Sequence, residues 1–155
     1  MILIDLEKCY SCKECKVECN YPFHHYKTGF YTLIEEGIRK IICRHCDDAP
    51  CVIACPRNAL EKDKNGDIKR ATILCTSCKT CLIACPFGVN TIETVSFFTS
   101  PCDECKDREK LCIKTCPLGA IVEGEFEEDT SEGIYKIREG VFVKAVHFKK
   151  QLGIK

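Results

Sequence analysis

The chain carries no excess of either charge. Its 23 lysines and arginines balance 23 aspartates and glutamates, for a formal net charge of +0. No apolar run approaches the roughly 18–20 residues that a membrane-spanning helix needs. The tail, Phe148 to Lys155, is too short to anchor in a bilayer. The Gly-rich phosphate loop and the Gly-x-Gly-x-x-Gly turn are both missing, so nucleotide or flavin binding has no support. The opening residues Met1-Ile2-Leu3-Ile4-Asp5 run almost directly into a motif at Cys9. They leave no room for a leader with a basic start and an apolar core, and the expected compartment is the reducing cytoplasm.

Cysteine is what the chain has in abundance: sixteen in 155 residues, far above ordinary usage. All sixteen fall into four groups. The first is Cys9-x2-Cys12-x2-Cys15-x3-Cys19, and the second is Cys43-x2-Cys46-x4-Cys51-x3-Cys55. The third is Cys75-x2-Cys78-x2-Cys81-x3-Cys85, and the fourth is Cys102-x2-Cys105-x6-Cys112-x3-Cys116. Groups two, three and four end alike, with proline after the last cysteine (Pro56, Pro86, Pro117) and three residues between the last two cysteines. That likeness indicates duplication of one unit.

The spacing has a chemical reading. Three closely spaced thiolates can wrap one face of an iron–sulfur cubane, each reaching a different iron. The fourth corner lies beyond that loop, so the remote cysteine with proline after it serves a different cluster. Groups therefore exchange their last cysteine in pairs. Spacing alone leaves open whether the pairs are nested or sequential. Two other uses of cysteine compete. Disulfides need an oxidising compartment and give no reason for this spacing. Four all-cysteine zinc sites would use sixteen thiolates too, but zinc sites are built from Cys-x2-Cys pairs, not triplets plus a Cys-Pro. The reading is four [4Fe–4S] clusters with all sixteen cysteines as iron ligands. Sixteen thiolates would contribute about −16 and four oxidised cores about +8, leaving a holo-protein near −8. Such a charge argues against nucleic acid as a partner.

With every cysteine committed, no Cys–His or Ser–His–Asp constellation remains, and the chain is not expected to be an enzyme by itself. His45, inside the second group, is expected to be a polar neighbour that tunes a cluster by hydrogen bonding. His24 and His25, set among Tyr21, Phe23 and Tyr26, suggest packing or partner contact; His147 suggests nothing.

Between the groups the pattern gives short strands, turns and short helices. Ile2-Leu3-Ile4 is expected as a strand, and Arg39-Lys40-Ile41-Ile42 as a similar lead into the second group. Asn65-Gly66 marks a hairpin joining Ala59–Lys62 to Ile68–Arg70. Ala71–Leu74 enters the third group and Ala120-Ile121-Val122 follows the fourth. Short helices are expected after the Cys-Pro pairs and after the first triplets. Glu123 to Glu132 is a solvated acidic loop, with a docking surface as the sharper alternative. A terminal hairpin follows, Ile134–Ile137 and Val141–Val146 around Arg138-Glu139-Gly140. The fold class is a small α+β fold, thin in apolar core and stabilised by metal.

From Ile2 to Val122 the motif set resembles the four-cluster ferredoxin-like electron-transfer subunits of molybdopterin and tungstopterin oxidoreductases, such as the iron–sulfur subunit of dimethyl sulfoxide reductase. Similar proteins serve carbon monoxide dehydrogenases and hydrogenases. The resemblance implies two dicluster lobes in one domain over residues 1–155, with 123–155 as a C-terminal extension. It implies nested pairing. One lobe would hold a cluster on Cys9, Cys12, Cys15 and Cys116 and another on Cys102, Cys105, Cys112 and Cys19. The other lobe would use Cys43, Cys46, Cys51 and Cys85, and Cys75, Cys78, Cys81 and Cys55. Asn20 departs from the pattern by standing where proline follows the other groups. The implied function is a relay of single electrons between a catalytic molybdenum-, tungsten- or nickel–iron subunit and an outside donor or acceptor, such as a flavin subunit or a ferredoxin. A free polyferredoxin shuttle and a zinc-stapled interaction module are the alternatives.

Overall fold

The computed structural model describes residues 1–21, 28–89 and 101–147. Strand β1 (Ile2–Asp5) opens with three buried apolar residues, Ile2, Leu3 and Ile4. Burial on both faces follows from its place inside a four-stranded sheet of order β4-β1-β6-β5. It pairs antiparallel with β4 (Ile121–Glu123) and parallel with β6 (Val141–Lys144). Strand β5 (Ile134–Arg138) forms the expected terminal hairpin with β6, turned at Gly140, whose φ is +72°. The parallel insertion of β6 beside β1 has no counterpart in the sequence reading.

Asp5 ends β1 and caps α1 (Leu6–Ser11), its carboxylate accepting from the Glu7 and Lys8 N–H groups at 3.1 and 3.2 Å. Helix α2 (Thr28–Ile42) then lies against the terminal hairpin. At Gly37 a Cβ would stand 3.4 Å from Val143 Cγ2 and 3.5 Å from Ile137 Cδ1, so the helix sits in close van der Waals contact there. The run Arg39–Ile42, expected as a strand, is the last turn of this helix. Phe30, Leu33 and Ile41 recur on its buried face, a helical period that four residues were too few to reveal.

Strands β2 (Leu60–Lys62) and β3 (Ile68–Arg70) form the expected hairpin, with Gly66 at φ +84°. Ala71–Leu74 is a turn closed by Leu74 N–H to Ala71 O at 3.1 Å, with Ile73 94% exposed, not an apolar lead-in. The short helices expected after the triplets form, each starting just before the third cysteine of its group, but none of the described segments after a Cys-Pro pair is helical. The helices are α3 (Pro50–Ile53), α4 (Thr80–Ala84) and α5 (Leu111–Thr115). Proline sets where two of them end, since the residue before it is pushed to extended backbone, and the left-handed Asn58, Gly88 and Gly119 stop a helix from starting after it. Cys85 (ψ 110°) and Cys116 (ψ 112°) are indeed extended and end α4 and α5.

Two hydrophobic clusters result. The larger joins Ile4, Leu33, Ile121, Val141 and Val143, with Cys9, Cys15, Cys102, Cys112 and Cys116 packed on it. The smaller joins Ala49, Leu60, Ile68 and Cys81, with Cys43, Cys51 and Cys75 against it. The acidic stretch after β4 is exposed through Glu125, Glu127, Glu128, Asp129 and Glu132; Glu123 pairs with Lys110 at 2.5 Å. His24, His25 and the tail from Phe148 lie outside the described residues.

Candidate metal centre

The triplets stay together, but the remote cysteine of each group lies beside the triplet of another. Cys9, Cys12 and Cys15, from α1 and the loop after it, share a cavity of about 200 Å³ with Cys116, floored by Val17, Phe30 and Ile34. Cys43, Cys46 and Cys51 line a tighter cavity with Cys85. Cys75, Cys78 and Cys81 line another with Cys55. Cys19 stands beside the fourth group: its Sγ and the Cys102 Cβ both lie within 3.7 Å of where a Cβ on Gly29 would be.

The path of Cys19 is held by polar contacts to the fourth group. Glu18 N–H donates to Thr115 Oγ1 at 2.9 Å, and the Asn20 side-chain amide donates to Glu109 O at 3.0 Å. Arg108 donates to the Asn20 carbonyl and to the Asp103 carboxylate. Asn20, which broke the Cys-Pro pattern, is thus an anchor.

The local backbone explains how the loops wrap. In three Cys-x2-Cys segments the residue before the second cysteine is left-handed: His45 (φ 51°), Ser77 (φ 54°) and Glu104 (φ 58°). Three residues after each remote cysteine, Asn58 (φ 49°), Gly88 (φ 62°) and Gly119 (φ 56°) take the same conformation. Each closes a turn by donating its N–H to the carbonyl of Cys55, Cys85 or Cys116, at 3.3, 3.3 and 3.2 Å. The turn swings the next N–H toward sulfur: Ala59 to Cys55 Sγ at 3.3 Å and Ala120 to Cys116 Sγ at 3.2 Å. The Cys-x2-Cys loops add His45 N–H to Cys43 Sγ at 3.5 Å and Glu104 N–H to Cys102 Sγ at 3.3 Å. Asn or Gly three residues past the remote cysteine is a local turn signal carried by the sequence itself.

His45 is therefore a neighbour of the site through its backbone. Its ring Nδ1 lies 2.9 Å from Gly66 O and 3.7 Å from Asp67 Oδ1, tying the loop to the β2–β3 turn. His147 lies 3.0 Å from Glu7 Oε2, far from any such role.

Seven of the thiols resist ionising alone. Burial, then the charges of Cys116 and Cys15, push Cys9 up to about 12. Burial above all carries Cys102 and Cys112 to about 11, and raises Cys43, Cys51, Cys81 and Cys105. Cys78 alone is held below its ordinary value, by hydrogen bonding from Thr80. Crowded thiolates that repel one another are what a cationic iron–sulfide core relieves. Among the described residues, no three His, Cys, Asp or Glu side chains gather tightly enough to hold a lone metal ion. The donor chemistry, thiolates in threes plus one with backbone N–H groups aimed at sulfur, fits iron–sulfur clusters.

That donor chemistry defines an iron–sulfur protein. Residues 34–126, which hold groups two, three and four, match the 4Fe-4S dicluster domain family, and the chain belongs to it. It is 37% identical over 99 residues to the arsenate respiratory reductase iron–sulfur subunit of Shewanella sp. (strain ANA-3), covering 57% of this chain and 42% of that one. The thiosulfate reductase electron transfer subunit of Salmonella typhi is 28% identical over 149 residues, 83% of this chain and 77% of that one. UacF of Escherichia coli (strain K12), an oxidoreductase by name, is 32% identical over 133 residues, 77% of this chain and only 20% of its own. The chain thus spans less than half of two of these relatives. No described helix is long and apolar enough to cross a membrane.

Proposed function

We propose that the chain is the electron-transfer subunit of an oxidoreductase complex. Four [4Fe–4S] clusters would relay single electrons between a molybdenum- or tungsten-pterin catalytic subunit and an external donor or acceptor. Carbon monoxide dehydrogenase or hydrogenase subunits are catalytic partners of the same kind. One observation carries the reading: each triplet of cysteines has a sulfur from a distant group beside it. The ligand sets are Cys9, Cys12, Cys15 and Cys116; Cys102, Cys105, Cys112 and Cys19; Cys43, Cys46, Cys51 and Cys85; and Cys75, Cys78, Cys81 and Cys55. Two hydrophobic clusters, each packed with cysteines of one nested pair of groups, support an organisation in two dicluster lobes. The named reductase subunits among the relatives support the type of partner.

The clusters supply the one-electron chemistry. The chain's residues bury them, exclude water and aim N–H groups at their sulfurs, which stabilises added negative charge. Anaerobic purification followed by metal and sulfide analysis tests the reading. About sixteen irons and as many sulfides per chain, at four per cluster, are expected. Zinc in place of iron, or half the iron, overturns the four-cluster relay.

A further inference from the structure

A buried charge array lies between two of the quartets. Glu35 and Arg39 stand one turn apart on α2, and Arg70 ends β3. Glu35 Oε1 accepts from Arg70 Nε at 2.8 Å and lies 2.8 Å from Arg39 Nη2; Oε2 accepts from Arg70 Nη2 at 2.6 Å. The three side chains are 3–7% exposed. Two cations thus share Glu35 out of water, with Glu36 the next carboxylate to act on Arg39, and buried cations are costly unless further negative charge is near.

The lining of the cavities shows where that charge would be. Arg39 lines the cavity of Cys43, Cys46, Cys51 and Cys85. Arg70 lines the cavity of Cys55, Cys75, Cys78 and Cys81. Each guanidinium faces a different quartet, and one carboxylate holds both.

We propose that Glu35, Arg39 and Arg70 set the reduction potentials of the two clusters held by these quartets. The proposal rests on the cluster reading above. A cubane with four thiolates carries about −2 when oxidised and about −3 when reduced. Reduction brings one electron from the external donor or a neighbouring cluster and makes or breaks no bond. A desolvated guanidinium favours the more negative state and raises the potential. Glu35 positions the two arginines and offsets part of their charge, so it lowers the same potentials. These are positioning residues: none is a ligand.

The test is a spectroscopic redox titration of the iron-loaded full chain. Arg39→Gln is expected to make reduction of two of the four clusters about tenfold less favourable, a fall of about 59 mV for a one-electron couple. Glu35→Gln, which keeps the shape and both arginines, is expected to move the same two couples upward. Opposite signs from neighbouring residues cannot come from loosened packing alone. Arg39→Lys, which keeps the cation, should restore most of the shift. If Arg39→Gln fails to load iron, Glu35→Gln decides by its own upward shift. Full iron with unmoved potentials, or a fall in both variants, overturns the proposal. A wild-type chain without clusters instead overturns the reading beneath it, before any potential is measured.

Discussion

Gly29 and Cys19 nearly touch: a Cβ on Gly29 would stand 3.2 Å from the Cys19 sulfur and 3.5 Å from the Cys102 Cα. The first turn of α2 is therefore packed onto the cysteine set formed by Cys19 and the fourth group. In an ordinary helix Gly→Ala gains about 0.5–1 kcal/mol. In Gly29→Ala that gain should appear only in the metal-free chain, whose sulfur can shift. With iron bound, Cys19 cannot yield, and thermal loss of the visible cluster absorption should come at lower temperature than in wild type. An unchanged or raised midpoint for the iron-loaded variant would show that the sulfur is not held.

Cys78 is the exposed member of its quartet. Replacing it with alanine removes one of the proposed iron ligands and nothing from the hydrophobic clusters. Iron is expected to fall by up to about four atoms per chain, the content of one cubane, with electron flow reduced. Full iron and normal transfer in Cys78→Ala would remove this residue from the ligand set.

The raised thiols give a pH dependence with a definite sign. Cys9 lies at about 12 in the folded chain against an ordinary 9.0, and Cys102 and Cys112 at about 11. A folded state that holds protons more tightly than the unfolded state loses stability as pH rises between the two values. Whatever structure the metal-free chain keeps should be fully present below pH 9 and should weaken from there toward pH 11–12. Circular dichroism follows it. The iron-loaded chain, whose thiolates are already ionised and neutralised by the core, should not show this loss. A metal-free chain whose signal is flat or rises over that interval would contradict these thiol values.

Much of the site was legible because its chemistry is written in residue type and spacing. The β2–β3 and β5–β6 hairpins were legible too, since Asn65-Gly66 and Glu139-Gly140 are local signals. Helix α2 was not, because, of its buried apolar residues Phe30, Leu33 and Ile41, only Ile41 falls in the run Arg39–Ile42, which is too short to show a helical period. The helices at the third cysteines were legible from the triplets, whereas those expected after the Cys-Pro pairs are absent because Asn58, Gly88 and Gly119 turn the chain there. Glu35, Arg39 and Arg70 were ordinary charged residues in sequence; only burial and mutual distance set them apart.

The sequence by itself determined that sixteen thiolates occur in four repeated groups, and membership of the dicluster family follows from the same repeats. Those properties are local, carried by a few residues each. Spacing fixes the reach of a loop but not which distant cysteine lies beside which triplet; that follows from tertiary packing, of β1 between β4 and β6 with Asn20 anchored on the fourth group, and of α3 against α4 between groups two and three.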